Sequence, residues 1–244
     1  SSVQSMNLYK VRKKSMQARP SELDSIISML RADLLYNTKR FESWYLLGRC
    51  YSYMVEDDLI WTSDKLSTLE KKKGTAYTQR KAILCYLMSV GTFLAQRENK
   101  DIQEDVDNNL ILKKVLEALG VETLNGYLKP MHKLCFQWRT SNDLRLNENN
   151  ELFQVPIVDK PSITEHNVEQ AIFLALQRAD EITQAIIPSR KTVTRNWQNL
   201  YFMAKLQFKT CIEDFKNSGM EMVVDACRVA AASSKSGDPI IEPH

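Results

Sequence analysis

The sequence predicts an all-α fold of antiparallel helix pairs stacked as an irregular solenoid, and three observations carry that prediction. Apolar residues recur at spacings of three and four along most of the chain, which gathers them on one face of a 3.6-residue helix, while alternation is nearly absent. Glycine and proline number only seven each in 244 residues, so few positions interrupt a helix. Bulky and small residues also occur at matched helical positions, with Trp44, Leu47, Gly48 and Tyr51 as the clearest set.

The elements follow in order. Residues 1–20 read as a basic, flexible lead-in. A first helix starts just after Pro20 and runs to about Asn37, with Leu23, Ile26, Ile27, Leu30 and Leu34 as its buried stripe. A second begins near Phe41 and a third spans Tyr77 to Gln96. Between them, Asp57 to Gly74 reads as an insertion, a helical extension ending in a loop at the Gly74 break. Helices are predicted from Asp101 to Leu119 and from Glu122 to Trp138, the latter kinked or split by Pro130, which lacks a backbone donor and crowds the preceding turn.

The composition shifts over residues 139–163, where Asn142, Asn147, Asn149 and Asn150 precede Leu152, Phe153, Val155 and Ile157. This reads as a long loop that either docks a partner or tucks its apolar residues onto the core, the second being the simpler. It separates a helical half at 21–138 from a second at 164–235. In the second half, Val193, Trp197, Leu200, Tyr201, Ala204, Phe208, Cys211 and Phe215 predict one continuous face over Thr192 to Phe215. Val223, Val224, Cys227, Ala230 and Ala231 answer it from a last helix, Gly219 to Ser233, a large face against a small one. Residues 236–244 end on Ile240 and Ile241 with little to pack on, and read as a tail cut from a longer protein.

Composition narrows the function. With 43% hydrophobic residues the chain can bury a sizeable core, and neither an apolar span nor a leader pattern stands out. Cys50, Cys85, Cys135, Cys211 and Cys227 are odd in number and lack CxxC spacing, which predicts reduced core thiols. Lys and Arg total 33 against 30 Asp and Glu, a net charge of +3, too balanced for a phosphate-backbone binder. No phosphate-binding glycine loop or H-E-x-x-H pattern occurs, and His132 with Cys135 is the one local metal-ligand pair, short of a zinc set. Acidic residues fall mostly on predicted solvent faces, which leaves acid/base catalysis without support. The expectation is therefore no enzyme, no cofactor and no metal.

Trp44, Leu47, Gly48 and Tyr51 spell W-x2-L-G-x2-Y, the first-helix pattern of a tetratricopeptide repeat, in which a bulky residue of one helix fills a hole in its mate. Ala82, Tyr86 and Ser89 reproduce the second-helix spacing about 22 residues late. Trp197 and Leu200 repeat W-x2-L, but Tyr201 takes the small position, so the tetratricopeptide-like array is degenerate. In such repeats the first helix lines a ligand groove, at positions that here are Glu42, Tyr45, Arg49 and Ser52. Tyr45 and Arg49 are of the types enriched at binding hot spots. The alternative is that the 57–74 insertion fills the groove itself. Trp61, preceded by Glu56, Asp57 and Asp58, fits a lid over the groove or an anchor for a partner.

The stretch Arg40 to Leu66, RFESWYLLGRCYSYMVEDDLIWTSDKL, resembles the large repeat subunit of the HIR histone chaperone complex, histone transcription regulator three in fungi and the calcineurin-binding protein cabin in animals. The final SGDPIIEPH is similar to a second segment of that family. The resemblance implies a nuclear scaffold that holds WD-repeat proteins and a small fourth subunit, in a complex that deposits core histones independently of replication. It leaves histones as indirect partners, and the lack of a long apolar stretch adds the expectation of no membrane contact. Two alternatives stand beside it: direct histone or DNA contact through Lys71, Lys72, Lys73, Arg80 and Lys81, which more simply solubilise a loop, and a generic peptide-binding adaptor.

Overall fold

In a computed structural model, residues 4–6, 20–61, 68–99, 106–136, 143–146, 152–155, 165–190 and 193–233 are described. Seven long helices dominate them: α1 Pro20–Tyr36, α2 Phe41–Trp61, α3 Leu69–Glu98, α4 Val106–Tyr127, α5 Glu165–Ile186, α6 Trp197–Thr210 and α7 Met220–Ser233. Each helix packs chiefly on its neighbours in sequence, most extensively in the pairs α2/α3, α4/α5 and α6/α7. The fold is all-α as predicted, with one small addition. Within the segment expected to be a plain loop, β1 Asp143–Leu146 and β2 Leu152–Val155 form an antiparallel hairpin in which Asp143 faces Val155 and Leu146 faces Leu152.

The pairing direction can be read from the contacts. Phe41 meets Phe93 edge-on at 5.0 Å, Gly48 lies under Tyr86, and Thr75 Oγ1 donates to the Asp58 carboxylate at 2.9 Å. As residue numbers rise along α2 they fall along α3, so the two helices are antiparallel. The same holds for α4 and α5, where Arg190 bonds Asp107, Leu176 fills the hole at Gly120 and the Tyr127 hydroxyl donates to Glu169.

Of the stretch Asp57 to Gly74, the expected helical extension is present, residues 62–67 lie outside the described residues, and the expected break at Gly74 is absent. α2 continues to Trp61 and α3 begins at Leu69, where the Thr68 hydroxyl caps the Lys71 N–H, and Gly74 lies inside the helix. Both helices of the pair are simply long, which explains why the second-helix pattern arrives late.

α4 also departs from the expected two helices. It runs through Gly120 without a break, and Pro130 follows its end instead of kinking it. Beyond Tyr127 the chain reverses through His132 and Lys133, both in the left-handed region (φ 48° and 68°), and the Lys133 N–H caps the Gly126 carbonyl at 2.9 Å. A 3-10 turn, Leu134–Phe136, then buries Cys135.

The core is continuous across the long segment. One apolar cluster joins Tyr86 and Phe93 of α3 and Leu116 of α4 to Ala179 and Ile186 of α5, and another joins Leu124 of α4 to Ile172, Leu200 and Ala226. At the other end Met6, from the expected flexible lead-in, is buried with Leu23, Leu30 and Cys50.

The predicted face of α6 is rotated. Asn199, Leu200, Met203, Ala204 and Leu206 are buried, while Phe208 is half exposed. The expected continuous helix to Phe215 stops at Thr210, because Cys211 is extended (φ −145°, ψ 103°), and Phe208 packs edge-on against Phe215 at 5.2 Å. In α7 Ala226 and Ala230 are buried; Val224 and Cys227 are exposed.

Candidate functional site

A cleft of about 720 Å³ lies among the described residues, lined in part by positions of the first helix of the repeat. Tyr45, Arg49, Ser52 and Glu56 project from α2 at helical spacing to form one wall. Lys114, Glu117, Val121, Glu122 and Asn125 of α4 form the facing wall, and Asn196, Gln198 and Asn199 at the start of α6 close one end. The helices place them there because the α2/α3 pair and the α4/α5 pair stack side by side through α3 and α4.

The α2 wall is held from below. Tyr86 of α3 is fully buried and its ring seats on Gly48, which brings its hydroxyl to 2.8 Å from the Ser52 Oγ. Arg49 Nη2 donates to the Tyr53 hydroxyl at 2.8 Å, and the guanidinium carbon lies 4.8 Å from the Tyr53 ring centre. Tyr45 leans on Tyr86 with ring centres 6.1 Å apart. Burial raises the phenol pKa of Tyr45 and of Tyr86, so both stay neutral donors at physiological pH.

The α4 wall contains two carboxylates with different surroundings. Glu117 accepts from Asn196 and Asn199 Nδ2, both at 3.0 Å, and pairs with Lys113 at 3.3 Å. Glu122 is buried, accepts from Gln79 Nε2 at 3.0 Å, and has its pKa raised by desolvation against the opposing pull of hydrogen bonds from Ser52 and Gln79. Asn196 also caps α6, its side chain accepting from the Gln198 N–H at 3.1 Å, which fixes the end of the cleft.

Among the residues singled out from the sequence, Tyr45, Arg49 and Ser52 lie together in the cleft. Glu42 does not: it is exposed on α2 outside the cleft lining. Trp61 ends α2, and its side chain lies outside the described residues. The expectation that acidic residues fall on solvent faces fails at Glu122 and Asp180, both buried. Glu122 could have been found, since it stands three residues after Leu119 in the apolar register of α4. The contributions of Glu117, Asn196 and Asn199 had no such signal, because they meet across 79 and 82 residues of sequence.

The basic cluster is not a loop. It sits on α3, where Lys73 pairs with Glu70, Arg80 Nε donates to the Cys135 carbonyl at 2.7 Å and Lys81 lies 4.3 Å from the Tyr77 ring centre. His132 is exposed and Cys135 buried, its thiol pushed up to about 12 by burial. No group of three or more potential metal ligands occurs among the described residues, and no helix among them is long and apolar enough to cross a membrane.

Comparison with known proteins gives this chain relatives. A model of the HIR3 helical bundle domain matches residues 1–182. Proteins named histone transcription regulator 3 homolog are similar along this chain: 48% identical over all of it in Kluyveromyces lactis, 47% over all of it in Eremothecium gossypii, and 36% over 97% of it in Candida albicans. The chain spans only 15%, 15% and 14% of the length of those three relatives.

Proposed function

The chain belongs to the histone transcription regulator 3 family, and on that premise we propose that it is a non-catalytic scaffold segment acting in the nucleus, in regulation of histone transcription and in replication-independent nucleosome assembly. Its work in this reading is protein docking within a HIR-type histone chaperone assembly, with the WD-repeat proteins and a small fourth subunit as partners and core histones reached through them. The stacked antiparallel pairs are then a degenerate tetratricopeptide-like array, with the α2/α3 pair as its clearest unit. The relatives' names supply the histone connection.

The observation that supports docking is the cleft itself. Tyr45, Arg49 and Ser52 present an aromatic face, a cation and a hydroxyl on one rigid helix wall, open to solvent. The arrangement favours recognition over chemistry, since Ser52 is hydrogen-bonded to a phenol with no histidine beside it and both α4 carboxylates are occupied by amides.

The test is a capture from nuclear extract with the 244-residue chain as bait, read by mass spectrometry beside a Tyr45→Ala, Arg49→Ala double variant. Recovery of WD-repeat chaperone subunits by the parent chain and their loss with the variant is the expected result. Recovery unchanged in the variant would move the contact away from the cleft; recovery of no such subunit by either chain would end the scaffold reading.

A further inference from the structure

Charge in the cleft is unevenly satisfied. Glu117 is engaged by Lys113, Asn196 and Asn199, and Glu122 by Gln79. Arg49, half buried, donates to one neutral phenol, and no carboxylate among the described residues lies within ion-pair distance of it. A guanidinium carries five donors in a planar fork, and a partly desolvated one is poorly served by a single neutral hydroxyl. Lys114 faces it from α4, exposed, and likewise makes no ion pair among the described residues. Two cations on opposite walls thus make no close ion pair among the described residues, Arg49 acting on buried Glu122 only through space, while Glu117 and Glu122 are held by amides.

We propose that the cleft receives an acidic polypeptide segment, with a carboxylate bound at Arg49 and a second contact at Lys114. This deepens the docking reading and rests on it. A carboxylate meets a guanidinium through paired, charge-assisted hydrogen bonds about twice as strong as neutral ones. The exposed amides of Asn125 and Gln198 at the rim suit the backbone of an extended peptide. A nucleic-acid strand fits less well, because its phosphates need a row of cations and the cleft lining offers two, Arg49 and Lys114.

The experiment follows the Arg49 Nε–Hε signal by NMR in the chain labelled with ¹⁵N-arginine, the signal being assigned by its absence in Arg49→Gln. Four probes are titrated: capped eight-residue peptides alternating Ala with Glu, with Gln or with Lys, and an eight-nucleotide oligothymidylate. The Glu peptide is expected to move the signal saturably, the Gln peptide to leave it in place, and Lys114→Gln to weaken the Glu peptide about threefold. A signal unmoved by the Glu peptide, moved equally by the Gln peptide, or moved only by the Lys peptide or the oligonucleotide would overturn the proposal. Extract capture separates this failure from failure of the docking reading. If Tyr45→Ala abolishes capture and Arg49→Gln retains it, docking stands and the carboxylate site falls; a drop of about 30-fold or more in affinity for the captured partner with Arg49→Gln supports both.

Discussion

Tyr86 lies so close over Gly48 that a Cβ built on the glycine would come within 2.6 Å of the tyrosine ring. That contact locks α2 to α3 at the height of the cleft, because the same ring carries the hydroxyl that meets Ser52. Gly91, on the same α3, is the opposite case: its added Cβ would meet nothing within 4 Å.

The two glycines should therefore respond with opposite signs. Gly48→Ala must displace a fully buried ring and is expected to destabilise the chain by about 1–3 kcal/mol, whereas Gly91→Ala should stabilise it by about 0.5–1 kcal/mol by removing a mid-helix glycine. Urea unfolding followed by circular dichroism measures both; equal effects would mean that the Tyr86 contact is not as tight as described.

Glu122 gives the stability a pH dependence. Its folded pKa is raised by burial, so between its unfolded value and that raised value the folded state holds more protons than the unfolded one. Its contribution is fully present below the unfolded pKa, near 4.3, and is lost as pH rises through the folded pKa. Glu122→Gln keeps an acceptor for Gln79 and removes the titration. The stability difference between variant and parent should grow in the variant's favour from about pH 4 toward neutrality; a difference independent of pH would refute this account.

Asp180 is buried, and Arg195 holds it through Nε at 2.8 Å and Nη2 at 2.6 Å. This fork ties the segment entering α6 to α5, next to the Asn196 cap at the end of the cleft. Arg195→Ala leaves an uncompensated buried carboxylate and is expected to cost about 3 kcal/mol, while Asp180→Asn with Arg195→Met should recover part of it. Thermal unfolding of the two variants beside the parent chain is the check, and a double variant no better than Arg195→Ala would argue against a desolvation cost.

Thiol labelling should sort the cysteines by burial. Cys50, Cys85 and Cys135 are buried, with thiols pushed up to about 12, while Cys227 is exposed and Cys211 partly so. At pH 8 Ellman's reagent should react first at Cys227, more slowly at Cys211, and with the other three only on unfolding. Prompt reaction of all five would mean that the core opens readily.

How far these features were legible depended on the distance between partners in sequence. The stripes Leu23–Leu34 and Leu112–Leu119 could be read from spacing alone and are buried as expected. The end of α6 is hidden in the sequence, because the break at Cys211 sits within an unbroken apolar period and no proline or glycine marks it. The neighbours of Pro130 keep the helical period, which hides the fact that the chain leaves the helix at Tyr127.

What the sequence determined by itself was local: the helical class, the stripes of helices such as α1 and α4, and the Gly48 and Tyr86 pattern whose bulky and small members fit only when two helices lie together. The periodicity of apolar side chains is enough for that, since the free energy of burying a stripe does not depend on knowing its partner in advance. Tertiary structure decided the rest. It set Glu117 against Asn196 and Asn199, left Arg49 facing Lys114 across a cleft, and buried Glu122 behind Ser52. Such charge relations depend on which helix walls meet, and that is settled only when the stripes of all the helices are buried at once.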